Sequence, residues 1–181
     1  MAPCQSSGKG HFAGSLGHRH SGDRRKVVAA NYTPKESRTP QQNHLLELST
    51  EFTSELLDAD EYVIGVPMHN WGPSSSFKLW VDHISMLRVT ASGSKEILGK
   101  KQATFVISAG GVYAPGSADA PKNYLEPWLR TFFGYPGIKD MRFIVADGTR
   151  PVKNGTIDRA LFLAPHLEAN RALFAEEPMP I

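Results

Sequence analysis

Two short stretches combine residue types that could grip a flat ligand: Met68-His69-Asn70-Trp71 and Ser108-Ala109-Gly110-Gly111. The first follows the apolar run Tyr62, Val63, Ile64 and Val66, which reads as a buried strand closed by Pro67. It sets a flat aromatic, Trp71, in the loop beyond that strand. The second follows another strand-like run, Gln102-Ala-Thr-Phe-Val-Ile107. Two glycines at a strand end permit φ > 0 and let a ligand approach the backbone closely. Open α/β sheets bind ligands just outside the carboxyl ends of their strands. Two strands emptying into loops of this kind point to a cofactor site.

Other chemistry-bearing residues have blander readings. Ser108 lacks the Gly-x-Ser-x-Gly elbow of a hydrolytic nucleophile. His11, His18 and His20 sit in a Gly-rich stretch that offers a metal no preset geometry, so no metal is expected. His83, near Phe77 and Trp80, fits a polar-face or core histidine. Trp128, Phe132 and Phe133 fit a core stripe; by analogy alone, Phe133 or Tyr135 could line a substrate pocket at a dimer interface. Arg24-Arg25-Lys26 reads as a solvated linker.

The elements that must position the two loops alternate along the chain. Thr39 suits an N-cap, Pro40 the N1 position and Gln42 the N3 position of a capping box. Leu45, Leu48, Phe52 and Leu56 then mark an amphipathic helix to about Asp58. Helices are expected near 75–88 and 121–133, a third strand at Met141–Ala146, and a last helical region at Ile157–Phe174 that Pro165 should kink or divide. Val27–Arg38 reads as an extended lead-in. Strands alternating with helices indicate a parallel sheet covered on both faces, an α/β fold.

At 181 residues the chain suits one domain, with ordinary apolar (40%) and charged (21%) content. The net charge of +2 gives no overall nucleic-acid footprint. Residues 1–26 carry Lys9, Arg19, Arg24, Arg25 and Lys26 against Asp23 alone, so the basic character is local. That stretch is rich in Gly, Ser and His, with Phe12 and Leu16 nearly its only large apolar residues, and is expected to be a disordered tail ahead of a domain at 27–181. A single cysteine, Cys4, excludes an internal disulfide. No apolar run approaches the roughly 18 residues of a membrane span, and the N-terminus has no secretory apolar region. A cytoplasmic protein is the expectation, without nucleic-acid or membrane partners.

From about Val28 onward the chain resembles the FMN-dependent NADH-azoreductases, within the flavodoxin-like NAD(P)H quinone oxidoreductases. The resemblance rests on Thr39-Pro-Gln-Gln42, Val63-Ile-Gly-Val-Pro-Met-His-Asn-Trp71, Leu79–Asp82, Gly99-Lys-Lys101 and Val106-Ile-Ser-Ala-Gly-Gly111. It continues through Tyr124-Leu125, Thr131-Phe-Phe-Gly134, Gly137-Ile138 and Ala146-Asp-Gly148. It implies a flavodoxin-like three-layer sandwich with FMN as cofactor and NADH or NADPH as co-substrate. It also implies a homodimer that reduces quinones and azo compounds by a ping-pong route. NADH would pass hydride to the flavin, NAD⁺ would leave, and the acceptor would stack on the same ring face. Carried over by position, Met68, His69, Asn70 and Trp71 form one ring-edge loop, and Ser108, Ala109, Gly110 and Gly111 the other. Trp71 would supply the ring's apolar wall; Asn70 and the Gly110 and Gly111 amides would face its polar edge.

The chain departs from that pattern in three places. His69 stands where an aromatic, typically Tyr, is usual, and Ala109 where Arg is common. The link from Leu87 to Gly99 is shorter than the family's aromatic hairpin. The first 26 residues show no strand, Ser-rich phosphate loop and helix, so the N-terminal elements are expected to be truncated or replaced, with a sheet edge left open. The alternatives to an active enzyme are a redox-inactive remnant kept as an interaction or dimerisation module, and a flavin-binding protein without turnover.

Overall fold

The computed structural model describes residues 24–85 and 97–175. Helix α1 (Arg24–Tyr32) is followed by a 3₁₀ turn at Lys35–Ser37 and by α2 (Pro40–Asp58). The capping box forms as its residues suggest: Gln42 N donates to Thr39 Oγ1 at 3.2 Å, and Thr39 N donates to Gln42 Oε1 at 2.9 Å. The lead-in does not. Val27–Arg38 is helix and 3₁₀ turn, and the helix begins at Arg24, inside the stretch expected to be tail. Of the residues of α1, Ala30 is fully buried while Val28 and Tyr32 face outward, so no apolar periodicity marks this helix in the sequence. Its end is tied to α2 because Gln42 Nε2 donates to Thr33 Oγ1 and Arg38 Nε to Thr33 O.

Strand β1 (Glu61–His69) turns into the two-residue β2 (Gly72–Pro73), and α3 (Ser75–Ile84) follows with Ser74 as its N-cap. Strand β3 (Gln102–Ser108), a 3₁₀ turn at Ala120–Lys122, α4 (Leu125–Gly134) and β4 (Asp140–Ala146) complete the sheet. Two helices close the described residues, α5 (Arg150–Lys153) and α6 (Arg159–Ala175). The sheet order is β2-β1-β3-β4, with β1, β3 and β4 parallel and β2 antiparallel to β1. Pro165 does not divide the last helix, which runs through it. The proline removes the bond to the Leu161 carbonyl, and Leu161 is exposed, so water can reach the freed group.

One face of the sheet carries Tyr62, Val66, Ala103, Phe105 and Ile107, packed against Phe77, Val81 and Ile84 of α3 and Leu125, Leu129 and Phe133 of α4. Phe105 is fully buried, its ring centroid 5.0 Å from Phe133 and 5.1 Å from Phe143. This aromatic cluster is centred on the strand that ends in Ser108. The opposite face is covered where α6 packs along β4. Val63, on the β1 strand, is 70% exposed there. Among the described residues no strand pairs with the outer edge of β1 along Glu61–Pro67, the open edge expected from the sequence.

Two polar clamps fix the approach to β1. Burial pushes the Tyr62 phenol well above the usual tyrosine range, with the charge of Asp60 adding to it. Tyr62 therefore stays protonated and donates its hydroxyl to Leu56 O. Lys101 Nζ donates to Leu57 O at 2.6 Å and also to Ala59 O, placing a cation on the carbonyl end of α2. Lys101→Met keeps the stem and removes the charge; it is expected to lower unfolding stability by about 1.5–3 kcal/mol, read by urea denaturation.

Candidate functional site

The register of the parallel ladder brings the two loops together. Pro67 pairs with Ser108, and Ser108 with Ala146, so three chain ends leave the sheet side by side. With neighbouring strands about 4.8 Å apart, the three exits span roughly 10 Å. They are the carboxyl ends of β1, β3 and β4.

The first loop is a tight hairpin. His69 pairs with Gly72, leaving Asn70 and Trp71 as the two turn residues. Both have positive φ, 48° for Asn70 and 65° for Trp71. Positive φ at both central residues is the backbone of a type I′ turn, which usually has Asn-Gly or Asp-Gly. Asn tolerates it; a bulky indole does so at a cost of about 1–3 kcal/mol. The side chain so placed is 48% exposed, and the turn is the only stretch of positive φ without glycine among the described residues. Met68 packs against the core and anchors the loop; His69 and Asn70 are exposed.

The second loop is latched to the third. Ala109 N donates to Ala146 O at 3.1 Å, and Ala109 O accepts from both Thr149 N and Thr149 Oγ1 at 3.0 Å. Gly148 N donates to Gly111 O at 2.9 Å. The Asp147 carboxylate accepts from Tyr113 N at 2.6 Å and Ala114 N at 3.0 Å. Ala109 is thus spent on the scaffold: its methyl is buried (3% exposed) and both its backbone polar groups are taken. The N–H groups of Gly110 and Gly111, by contrast, make no hydrogen bond among the described residues. Ser108 and Gly110 are exposed.

Neither Gly110 nor Gly111 adopts the positive φ that the sequence allowed; the left-handed glycine here is Gly148, at 73°. Gly111 is small because of Tyr113, whose hydroxyl would lie 3.0 Å from a Cβ at that position. At Gly110 a Cβ would meet only the flexible Arg150 side chain, at 3.4 Å. Folding therefore explains the glycine at 111 and leaves the one at 110 open to a ligand.

A flavodoxin-like family model matches residues 12–162. The FMN-dependent NADH:quinone oxidoreductase 3 of Burkholderia lata is 59% identical over 152 residues, covering 82% of this chain and 73% of that protein. The chain belongs to this flavodoxin-like oxidoreductase family. The FMN-dependent NADH:quinone oxidoreductase of Acidobacterium capsulatum is 38% identical, over 80% of this chain and 72% of that one. In structure, the chain resembles an FMN-dependent NADH-azoreductase of Bacillus anthracis crystallised with FMN, at TM-score 0.63 and 21% identity over 82% of this chain and 73% of that one. An azoreductase of another Bacillus anthracis strain gives 0.64 at 17% identity, over 81% and 72%. These two likenesses establish the flavodoxin-like fold.

Within that family frame, the remaining sequence candidates sort themselves. Phe133 is fully buried in the core, while Tyr135 is half exposed. His83 hydrogen-bonds Ser49 Oγ through Nδ1 at 2.7 Å and meets the Phe52 ring edge-on, joining α2 to α3 as a core histidine. His11, His18 and His20, and the shortened link at 88–96, lie outside the described residues. No sequence motif gives Asp147, Thr149 or Arg150 a role. An Asp-Gly pair after a strand signals a turn, but nothing in it reveals that the carboxylate holds the neighbouring loop.

Proposed function

We propose that this chain is an FMN-dependent oxidoreductase passing electrons from NADH to quinone or azo acceptors by a ping-pong route, as a cytoplasmic homodimer. The observation that carries the reading is the hairpin at Asn70-Trp71: a strained backbone holds an exposed indole beside a loop with two unspent N–H donors. The donor set suits the ring of FMN, which needs an apolar wall and hydrogen bonds along one polar edge. Bound there, the flavin supplies the two-electron chemistry, so no protein nucleophile or metal is required. Among the described residues no helix is long and apolar enough to cross a membrane.

The chain's own groups position and polarise. Trp71 would cover the ring, with Met68 holding the hairpin to the core. Asn70 offers an amide, and Gly110 and Gly111 offer backbone N–H groups that need no reorganisation when negative charge develops on the polar edge of the ring. Ser108 and His69 complete the two loops, and Ala109 fixes the shape of the second. The latch from Ala109 to Ala146 and Thr149 keeps these donors in place. Relatives named for FMN and NADH:quinone chemistry support the assignment of cofactor and donor.

The outer edge of β1, unpaired among the described residues, and the exposed Val63 favour a second reading, a chain that holds flavin or a partner without turnover. Steady-state NADH oxidation by the FMN-saturated protein, with a neutral naphthoquinone as acceptor, separates the two. Parallel double-reciprocal lines, well above a free-flavin blank, are expected. Rates equal to that blank would refute the enzyme reading.

A further inference from the structure

Among the described residues, Arg150 is the cation whose side chain packs on the proposed ring-edge loop. A Cβ at Gly110 would stand 3.4 Å from Arg150 Cγ and 3.5 Å from its Nε. The base of this side chain is held firmly. Thr149, just before it, donates twice to Ala109 O, and Asn154 N donates to Arg150 O at 3.1 Å. The charged groups nearby in sequence do not neutralise it. Asp147 is engaged by the Tyr113 and Ala114 amides, and Lys153, one turn along α5, adds charge of the same sign. Among the described residues no ion pair engages Arg150, and it is exposed.

A guanidinium presents five N–H donors in a planar fork that matches carboxylate, sulfonate and phosphate oxygens. We propose that Arg150 is a specificity-determining residue that receives an anionic substituent of the substrate lying over Gly110. Two sources carry that chemistry: the sulfonate or carboxylate of an acidic quinone or azo acceptor, and the diphosphate of NADH. The inference rests on the oxidoreductase reading above and adds to it a preference for acidic substrates.

The test compares Arg150→Gln with the parent protein, both loaded with FMN. Three KM values are measured: for 1,4-naphthoquinone, for its 2-sulfonate, and for NADH. Glutamine keeps polarity and most of the stem that covers Gly110 while removing the charge. The KM for the sulfonate is expected to rise about tenfold at low salt, as loss of one charge-assisted contact allows. The KM for the neutral quinone and kcat stay unchanged, and about 0.5 M salt erases the difference. A rise confined to NADH assigns the anion to the diphosphate. Equal values for all three overturn the proposal and leave Arg150 as a cover for the glycine. A parent protein that binds no FMN, or does not oxidise NADH, fails earlier, sinking the oxidoreductase reading and this inference together. Active protein without anion dependence sinks this inference alone.

Discussion

Gly110→Val is expected to abolish flavin retention while the protein stays folded. The position tolerates a side chain on structural grounds: its φ lies outside the left-handed region, and a Cβ would touch only the movable Arg150 stem. The branched methyls would instead project from the loop where the polar edge of the ring must come close to the Gly110 and Gly111 N–H groups. A loss of about 100-fold or more in FMN affinity is expected, roughly 3 kcal/mol. The urea midpoint should barely move. Gly111→Val is the informative neighbour. There a Cβ would sit 3.0–3.2 Å from the Tyr113 hydroxyl and ring, so the fold itself must give. Unchanged FMN affinity in Gly110→Val would remove that residue from the site.

Phe105→Ala should cost about 3–5 kcal/mol of unfolding free energy, the range for truncating a fully buried aromatic. Phe105 occupies the middle of β3 and joins the rings of Phe133 on α4 and Phe143 on β4. Few neighbours can collapse into the gap, because Leu129, Ile107 and Val81 are themselves packed to near-zero exposure. Against a typical total of about 5–15 kcal/mol, such a loss is a large share of the stability. Denaturant unfolding should show a lower midpoint at unchanged slope. A loss under about 1 kcal/mol would mean that the cluster is not the core of the sheet. Because Ser108 ends the same strand, the variant should also bind flavin more weakly.

Local signals made the site-bearing half of the fold legible. The capping box at Thr39-Pro40-Gln42, the apolar runs of β1, β3 and β4, and the three- and four-residue spacing in α2 each act through nearby residues. The features that stayed hidden depend on partners far along the chain. Helix α1 exists because Ala30 is buried and Thr33 is tied to α2, and neither fact shows in the apolar pattern. The β1–β2 hairpin escaped because its turn carries Trp71 where glycine would announce it. The two glycines announce the loop that follows Ser108, the last residue of β3, yet the division of labour within it comes only with the fold. Ala109 faces inward and is hydrogen-bonded, whereas the N–H groups of Gly110 and Gly111 are unspent. Asp147, Thr149 and Arg150 act across more than 30 residues of chain, a span that no motif length covers.

The central claim, that the Asn70-Trp71 hairpin and the Gly110-Gly111 loop together hold a flavin ring, is tested most directly by visible absorbance. The purified protein is measured in the flavin band before and after incubation with excess FMN and desalting. Retained absorbance that Gly110→Val eliminates is the predicted result. A well-folded protein that emerges colourless would contradict it.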